Sequence, residues 1–132
     1  MKRFCFLLLL SFTVVICAQE NIELNFIKKE LIKIDKFFGV DRFDYYYYLK
    51  NNALEKKLDK KLLSYSNLQL GEIDQVKIFN ALKIAVLHKD FNTLVLTDNR
   101  LAEISIINFN TILPYRRITQ IAYANESSFW LF

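Results

Sequence analysis

Apolar runs of four to eight residues recur along this chain, separated by two to four polar residues rich in asparagine and aspartate, and together they predict a succession of β-hairpins. The pattern also copies itself. Tyr45 to Leu62 lies without a gap over Ile84 to Leu101 at an offset of 39, and Ile121 to Phe132 lies over Ala85 to Leu96 at an offset of 36. Strands are expected near 30–35, 43–50, 53–58, 61–66, 73–79, 82–88, 93–97, 101–108, 117–124 and 128–132. Runs such as Lys83 to His88 are apolar on nearly consecutive positions, which implies strands covered on both faces, as in stacked sheets.

With glycine only at Gly39 and Gly71 and proline only at Pro114, turn chemistry falls to Asn51-Asn52, Asp90 to Asn92, Asp98-Asn99 and Asn125-Glu126. These residues tolerate left-handed backbone angles and bond their own main chain. The 39-residue match makes Asp59 and Asp98 equivalent, each expected in a turn with its carboxylate on the following backbone, and makes Lys50 to Ala53 and Lys89 to Asn92 equivalent tight turns. Helical spacing is the rival pattern in two places, giving an alternative α+β reading with helices near 24–38 and 72–88. A period near 40 built from hairpins is what propeller blades look like in sequence, so the primary expectation is all-β: antiparallel hairpin repeats, an incomplete propeller-like array of about two and a third blades.

Lys2 and Arg3 followed by an apolar run from Phe4 to Cys17, with Ile16-Cys17-Ala18 as an aliphatic-x-small site, read as a signal peptide over 1–18. The mature chain is then a single β-repeat domain over 19–132, exported to the periplasm or beyond, with no stable membrane span once the leader is cleaved. Val14 to Cys17 has the outline of a lipoprotein box, so a lipid anchor on Cys17 is the alternative. Both cysteines, Cys5 and Cys17, lie in the leader, and an exported domain without disulfides depends on its core. Losing Lys2 and Arg3 leaves 16 basic against 14 acidic residues, a near-neutral balance that gives no argument for nucleic acid. The pairs Lys56-Lys57 and Lys60-Lys61 read as the solvated side of a hairpin.

Phe38-Gly-Val-Asp-Arg-Phe43, Tyr48-Leu-Lys-Asn-Asn52, Tyr65 to Ile73, Lys89 to Asn99 and the closing Phe129-Trp-Leu-Phe132 resemble a group of uncharacterised, exported, propeller-like proteins of Gram-negative bacteria. The resemblance implies a propeller-like fold and brings no catalytic motif with it. Members of that group are about twice as long and continue beyond the tryptophan-containing strand. The expectation is therefore a fragment of a longer propeller, with open sheet edges that favour self-association.

The residues that could carry chemistry are few. His88 is the only histidine, and its expected place is the solvent-facing end of a strand. No aspartate stretch has the spacing of a calcium loop, no serine sits in a Gly-x-Ser-x-Gly elbow, and two distant glycines make no phosphate loop. No catalytic, cofactor or metal residue is expected, and the chain is read as a non-enzyme. Tyr45, Tyr46, Tyr47 and Tyr48 form the densest aromatic cluster, a candidate binding surface for a protein or glycan partner. Strand alternation sets Tyr45 and Tyr47 on one face and Tyr46 and Tyr48 on the other, with core packing as their main use. Two functions follow: an exported binding or scaffolding module, or a remnant or subunit of a propeller-based secreted enzyme.

Overall fold

Asn51 and Asn52 both adopt left-handed backbone (φ 50° and 58°), the geometry of a two-residue hairpin turn whose twist matches its flanking strands. They join β2 (Tyr46–Lys50) to β3 (Ala53–Leu58), as the sequence predicts. The computed structural model describes residues 29, 31–125 and 128–132, and within these Ile32–Phe132 form one compact unit. The signal peptide expected over 1–18, with Cys17, lies outside the described residues.

Sheet 1 is an antiparallel meander of β1 (Lys36–Val40), β2, β3 and β4 (Lys61–Tyr65). Sheet 2 repeats it with β5 (Gln75–Asn80), β6 (Lys83–His88), β7 (Thr93–Thr97) and β8 (Glu103–Asn108). Sheet 3 is the hairpin of β9 (Ile121–Asn125) and β10 (Ser128–Leu131). The protein is all-β, and no sheet closes on itself among the described residues. The α+β alternative is overturned where it can be seen. Residues 31–35 are irregular, 36–40 are strand, and 72–88 contains β5, a turn at Ala81-Leu82 capped by Asn80 Oδ1, and β6. The first strand begins at Lys36 rather than near 30. Asp35 donates its amide to Leu49 O and accepts from Asn51 N at 2.7 Å, so the ladder starts at this aspartate, and Leu31 upstream is 90% exposed.

One core lies between sheets 1 and 2, where Tyr47, Leu54 and Tyr65 meet Val76, Ile84, Val86 and Val95. Another lies on the far side of sheet 2, where Ala85, Leu87 and Leu94 meet Phe109, Ile118 and Ile121 with Phe129. Ile84 to His88 are therefore all buried, which is why β6 lacks polar alternation. Each fully buried Leu or Ile contributes about 1.5–3 kcal/mol.

The repeat is present in the structure with a different register. Leu49 pairs with Leu54 and Leu87 pairs with Leu94, so Leu49 corresponds to Leu87, an offset of 38 rather than 39, and Tyr47 to Ala85. A one-residue offset exchanges the faces of a strand. With the structural register, Tyr47, Leu49 and Leu54 look toward sheet 2 just as Ala85, Leu87 and Leu94 look toward sheet 3, so successive sheets face the same way. The third copy is reassigned too. Asp35 N–H to Leu49 O, Asp74 N–H to Leu87 O and Thr119 N–H to Phe132 O (2.9, 3.0 and 2.6 Å) are one bond three times over. By that bond β9 stands for β5 and β10 for β6, whereas the offset of 36 lays β9 over β6.

Candidate functional site

Asp41 opens the turn from β1 to β2. Its Oδ1 accepts from Phe43 N at 2.8 Å and Tyr45 N at 3.2 Å, while Asp44 takes left-handed backbone. Asp98 makes the same turn, accepting from Arg100 N and Ala102 N with Leu101 left-handed. Asp98 thus has its expected role, but its turn partner is Asp41; Asp59 serves a two-residue turn through its own left-handed backbone, φ 49°. Asp41 Oδ2 accepts from Tyr47 Oη at 2.9 Å and lies 3.7 Å from Lys56 Nζ, which donates to Asn99 O of sheet 2 at 3.0 Å. The ammonium also sits 4.5 Å from the Tyr45 ring centroid and 5.2 Å from that of Tyr47.

Lys56 is therefore buried, against the expectation of a solvated face, because the turn carrying Asn99 and the Tyr45 and Tyr47 rings close around it; Lys60 and Lys61 are exposed as expected. Burial, then the bond to Asp41, pushes the Tyr47 phenol far above its usual pKa. The tyrosine run divides as alternation requires, with Tyr45 and Tyr47 on the core toward sheet 2. It does not form a continuous exposed platform, since Tyr47 and Tyr48 are buried and Tyr45 and Tyr46 half-buried. A cleft of about 320 Å³ lined by Asp41, Arg42, Ile78 and Asn80 adjoins the cluster, but Asp41 already spends both oxygens inside the protein.

At the opposite end of the strands, asparagine side chains join each sheet to the next. Asn52 Oδ1 accepts from Ile73 N at 3.0 Å and its Nδ2 donates to Gly71 O at 3.3 Å. Asn92 Oδ1 accepts from Ile118 N at 2.8 Å and its Nδ2 donates to Arg116 O at 2.9 Å. Both asparagines are left-handed, and both clamp residues two apart in the segment leading to the next sheet. Gly71 is left-handed as well (φ 69°), and a Cβ there would meet the Phe91 ring at 3.0 Å. Sequence reading found these asparagines as turn residues but not as clamps. The signal was there in the repeated Asn of the second turn and the repeated buried isoleucine, Ile73 and Ile118, before the next strand.

Further ties join sheets 1 and 2. Tyr65 Oη and Asn67 Nδ2 both donate to Glu103 Oε1, at 2.9 and 3.0 Å. Burial and that carboxylate hold the Tyr65 phenol well above its usual pKa.

His88 is fully buried rather than solvent-facing, because the segment from Leu70 to Glu72 covers the end of β6 and Tyr65 stands edge-on to the ring at 6.5 Å. Neither ring nitrogen makes a hydrogen bond of acceptable geometry. Burial lowers its pKa below the ordinary 6.5, against weaker upward pulls from the backbone of Glu72, Gly71 and Leu70 and from Asp74. The unfolded chain then takes up a proton near pH 6.5 that the folded chain refuses. This contribution to stability is complete above pH 6.5 and lost as pH falls below it, by at most about 1.4 kcal/mol per pH unit. Urea titrations between pH 7.5 and 5.5 should show that slope in the wild type and its absence in His88→Leu; parallel profiles would contradict it.

Among the described residues no group of three or more His, Cys, Asp or Glu is arranged to hold a metal ion, and no helix is long and apolar enough to cross a membrane. No family model matches the chain, and neither a curated protein nor a solved structure matches it. Its reading rests on its own geometry.

Proposed function

We propose that this chain is an exported, propeller-like repeat module of the bacterial envelope that acts by holding a partner rather than by catalysis. The observation carrying this reading is where its polar and apolar groups go. Asn52, Asn92, Asp41, Lys56 and Glu103 spend their polar atoms on joining or capping strands and sheets, while Trp130 and Phe132 of the third sheet are each 62% exposed. Buried polar networks of this kind rigidify a scaffold, and exposed aromatic clusters mark interaction surfaces. Sheets that face the same way and are clamped in series support the propeller-like description, since blades stack in this manner.

Cell fractionation with intact-mass measurement tests the export half of the reading. The expected product is extracytoplasmic, begins at Gln19 and carries no lipid. Protein retained in the cytoplasm with its leader would contradict the proposal, and a mass including acylated Cys17 would replace the soluble form with an anchored one.

A further inference from the structure

The turn from β1 to β2 and the turn from β5 to β6 together line the cleft of about 320 Å³ beside Asp41. Val40, Ile78 and Ala81 contribute apolar wall, and Asp41, Arg42 and Asn80 are its polar residues. Asp41 has nothing left to offer a ligand, because its carboxylate takes two turn amides and the Tyr47 hydroxyl, with Lys56 Nζ 3.7 Å away. Asn80 Oδ1 is likewise taken, by Leu82 N at 2.8 Å, which leaves that side chain its NH2 as a donor. Arg42 is exposed, lies 4.9 Å from the Phe43 ring centroid and makes no ion pair with a described residue. The cleft therefore joins an apolar wall to one uncompensated positive charge and one amide donor.

Val40 pairs with Tyr46 and Ile78 pairs with Ile84, the equivalent pairs of the two sheets, and five residues separate the partners in each. In sheet 2 those five close as a tight turn at Ala81-Leu82. In sheet 1 the same number forms a wide turn fastened to the buried Asp41 carboxylate, with the buried Lys56 ammonium behind it. Burying two charges is more demanding than a hairpin of this length needs. The wide turn fixes the backbone on both sides of Arg42 and so sets a cation at the cleft on a rigid support.

We infer that this cleft binds a small organic anion, a monocarboxylate on an apolar, ring-sized body. The carboxylate pairs with Arg42, whose planar fork matches two carboxylate oxygens, and it also accepts from Asn80 Nδ2. The body displaces water from Val40, Ile78 and Ala81. An exposed ion pair contributes modestly and the apolar body supplies the rest, so the expected Kd is about 0.1–1 mM. The site uses residues of sheets 1 and 2 alone and stands apart from the exposed aromatics of sheet 3. It therefore goes beyond the partner-holding reading and succeeds or fails without it.

The probe is phenylacetate, titrated into the isotope-labelled full chain and followed by amide chemical shifts. Saturable changes are expected at residues 40–44 and 78–82. Phenylacetamide, its neutral isostere, should bind at least about ten-fold more weakly, and Arg42→Gln should lose a similar factor for phenylacetate. Arg42→Lys keeps the charge without the fork and should fall between wild type and Arg42→Gln. Glucuronate carries its carboxylate on a polar body and should bind more weakly than phenylacetate. Arg42 is exposed, so both variants should keep the wild-type fold, which the same spectra check. No shift up to about 10 mM phenylacetate, equal binding of acid and amide, undiminished binding by Arg42→Gln, or glucuronate as the tighter ligand would each overturn the inference. So would changes centred on residues 109–118, where a second cleft sets Arg116 beside an apolar lining.

Discussion

Asn92→Gly is expected to destabilise the protein by about 2–4 kcal/mol, and Asn92→Ala by about 1–2 kcal/mol more. Glycine keeps the left-handed backbone of residue 92 (φ 49°) and removes only the clamp, leaving the amide of the buried Ile118 and the carbonyl of Arg116 without their partner. Alanine removes the clamp and adds left-handed strain, so the difference between the two variants is that strain less the greater backbone entropy that glycine loses on folding. Asn52→Gly should cost less, about 1–2 kcal/mol, because Asn52 is only half-buried and water can replace part of what it gives. Urea unfolding followed by circular dichroism reads all three. Equal stability of wild type and Asn92→Gly would mean that the clamp is incidental to the joining of sheets 2 and 3.

The second large effect belongs to Asp41. Asp41→Ala removes the acceptor of two turn amides and of the Tyr47 hydroxyl, and it leaves the buried Lys56 ammonium facing two rings and one carbonyl. A loss of about 3–5 kcal/mol is expected, the range for breaking one side of a buried ion pair. Lys56→Met alone should cost less, since three hydrogen bonds still hold the Asp41 carboxylate. The double variant should be less destabilised than the sum of the two, because the second change removes a charge already stranded by the first. Strict additivity in a urea double-mutant cycle would show that the 3.7 Å pair carries no coupling.

Much of the fold was legible because its signals are local. Nine of the ten expected strands overlap the strands observed, and turns at Asn51-Asn52, Lys89 to Asn92 and Asp98 announce themselves by residue type. The strand expected near 30–35 lies instead at Lys36–Val40, because the ladder begins where Asp35 can reach Asn51, sixteen residues away. The repeat is visible in the sequence, but its gapless offset runs one residue out of step in β2 and β6. A gapless alignment cannot show that the second turn has two residues in sheet 1 and four in sheet 2, and it absorbs the difference by exchanging strand faces. The third copy's gapless offset falls on the wrong strand because the link from β8 to β9 is longer than that from β4 to β5.

The candidate site was less legible because its partners are distant in sequence. Nothing near Lys56 shows that Asn99 will cap it, and nothing near His88 shows that Leu70 to Glu72 will cover it. A polar residue at a strand end reads as exposed until its neighbouring sheet is known.

Successive sheets face the same way and are joined by asparagine side chains. Native-state hydrogen exchange on the amides of Ile73 and Ile118 tests it most directly. Both lie outside the strands and donate to side chains, to Asn52 Oδ1 and Asn92 Oδ1. Both should exchange slowly, with Ile118 close to the protection of β6 and β7. Exchange at loop rates for both amides, while β6 remains protected, would contradict it.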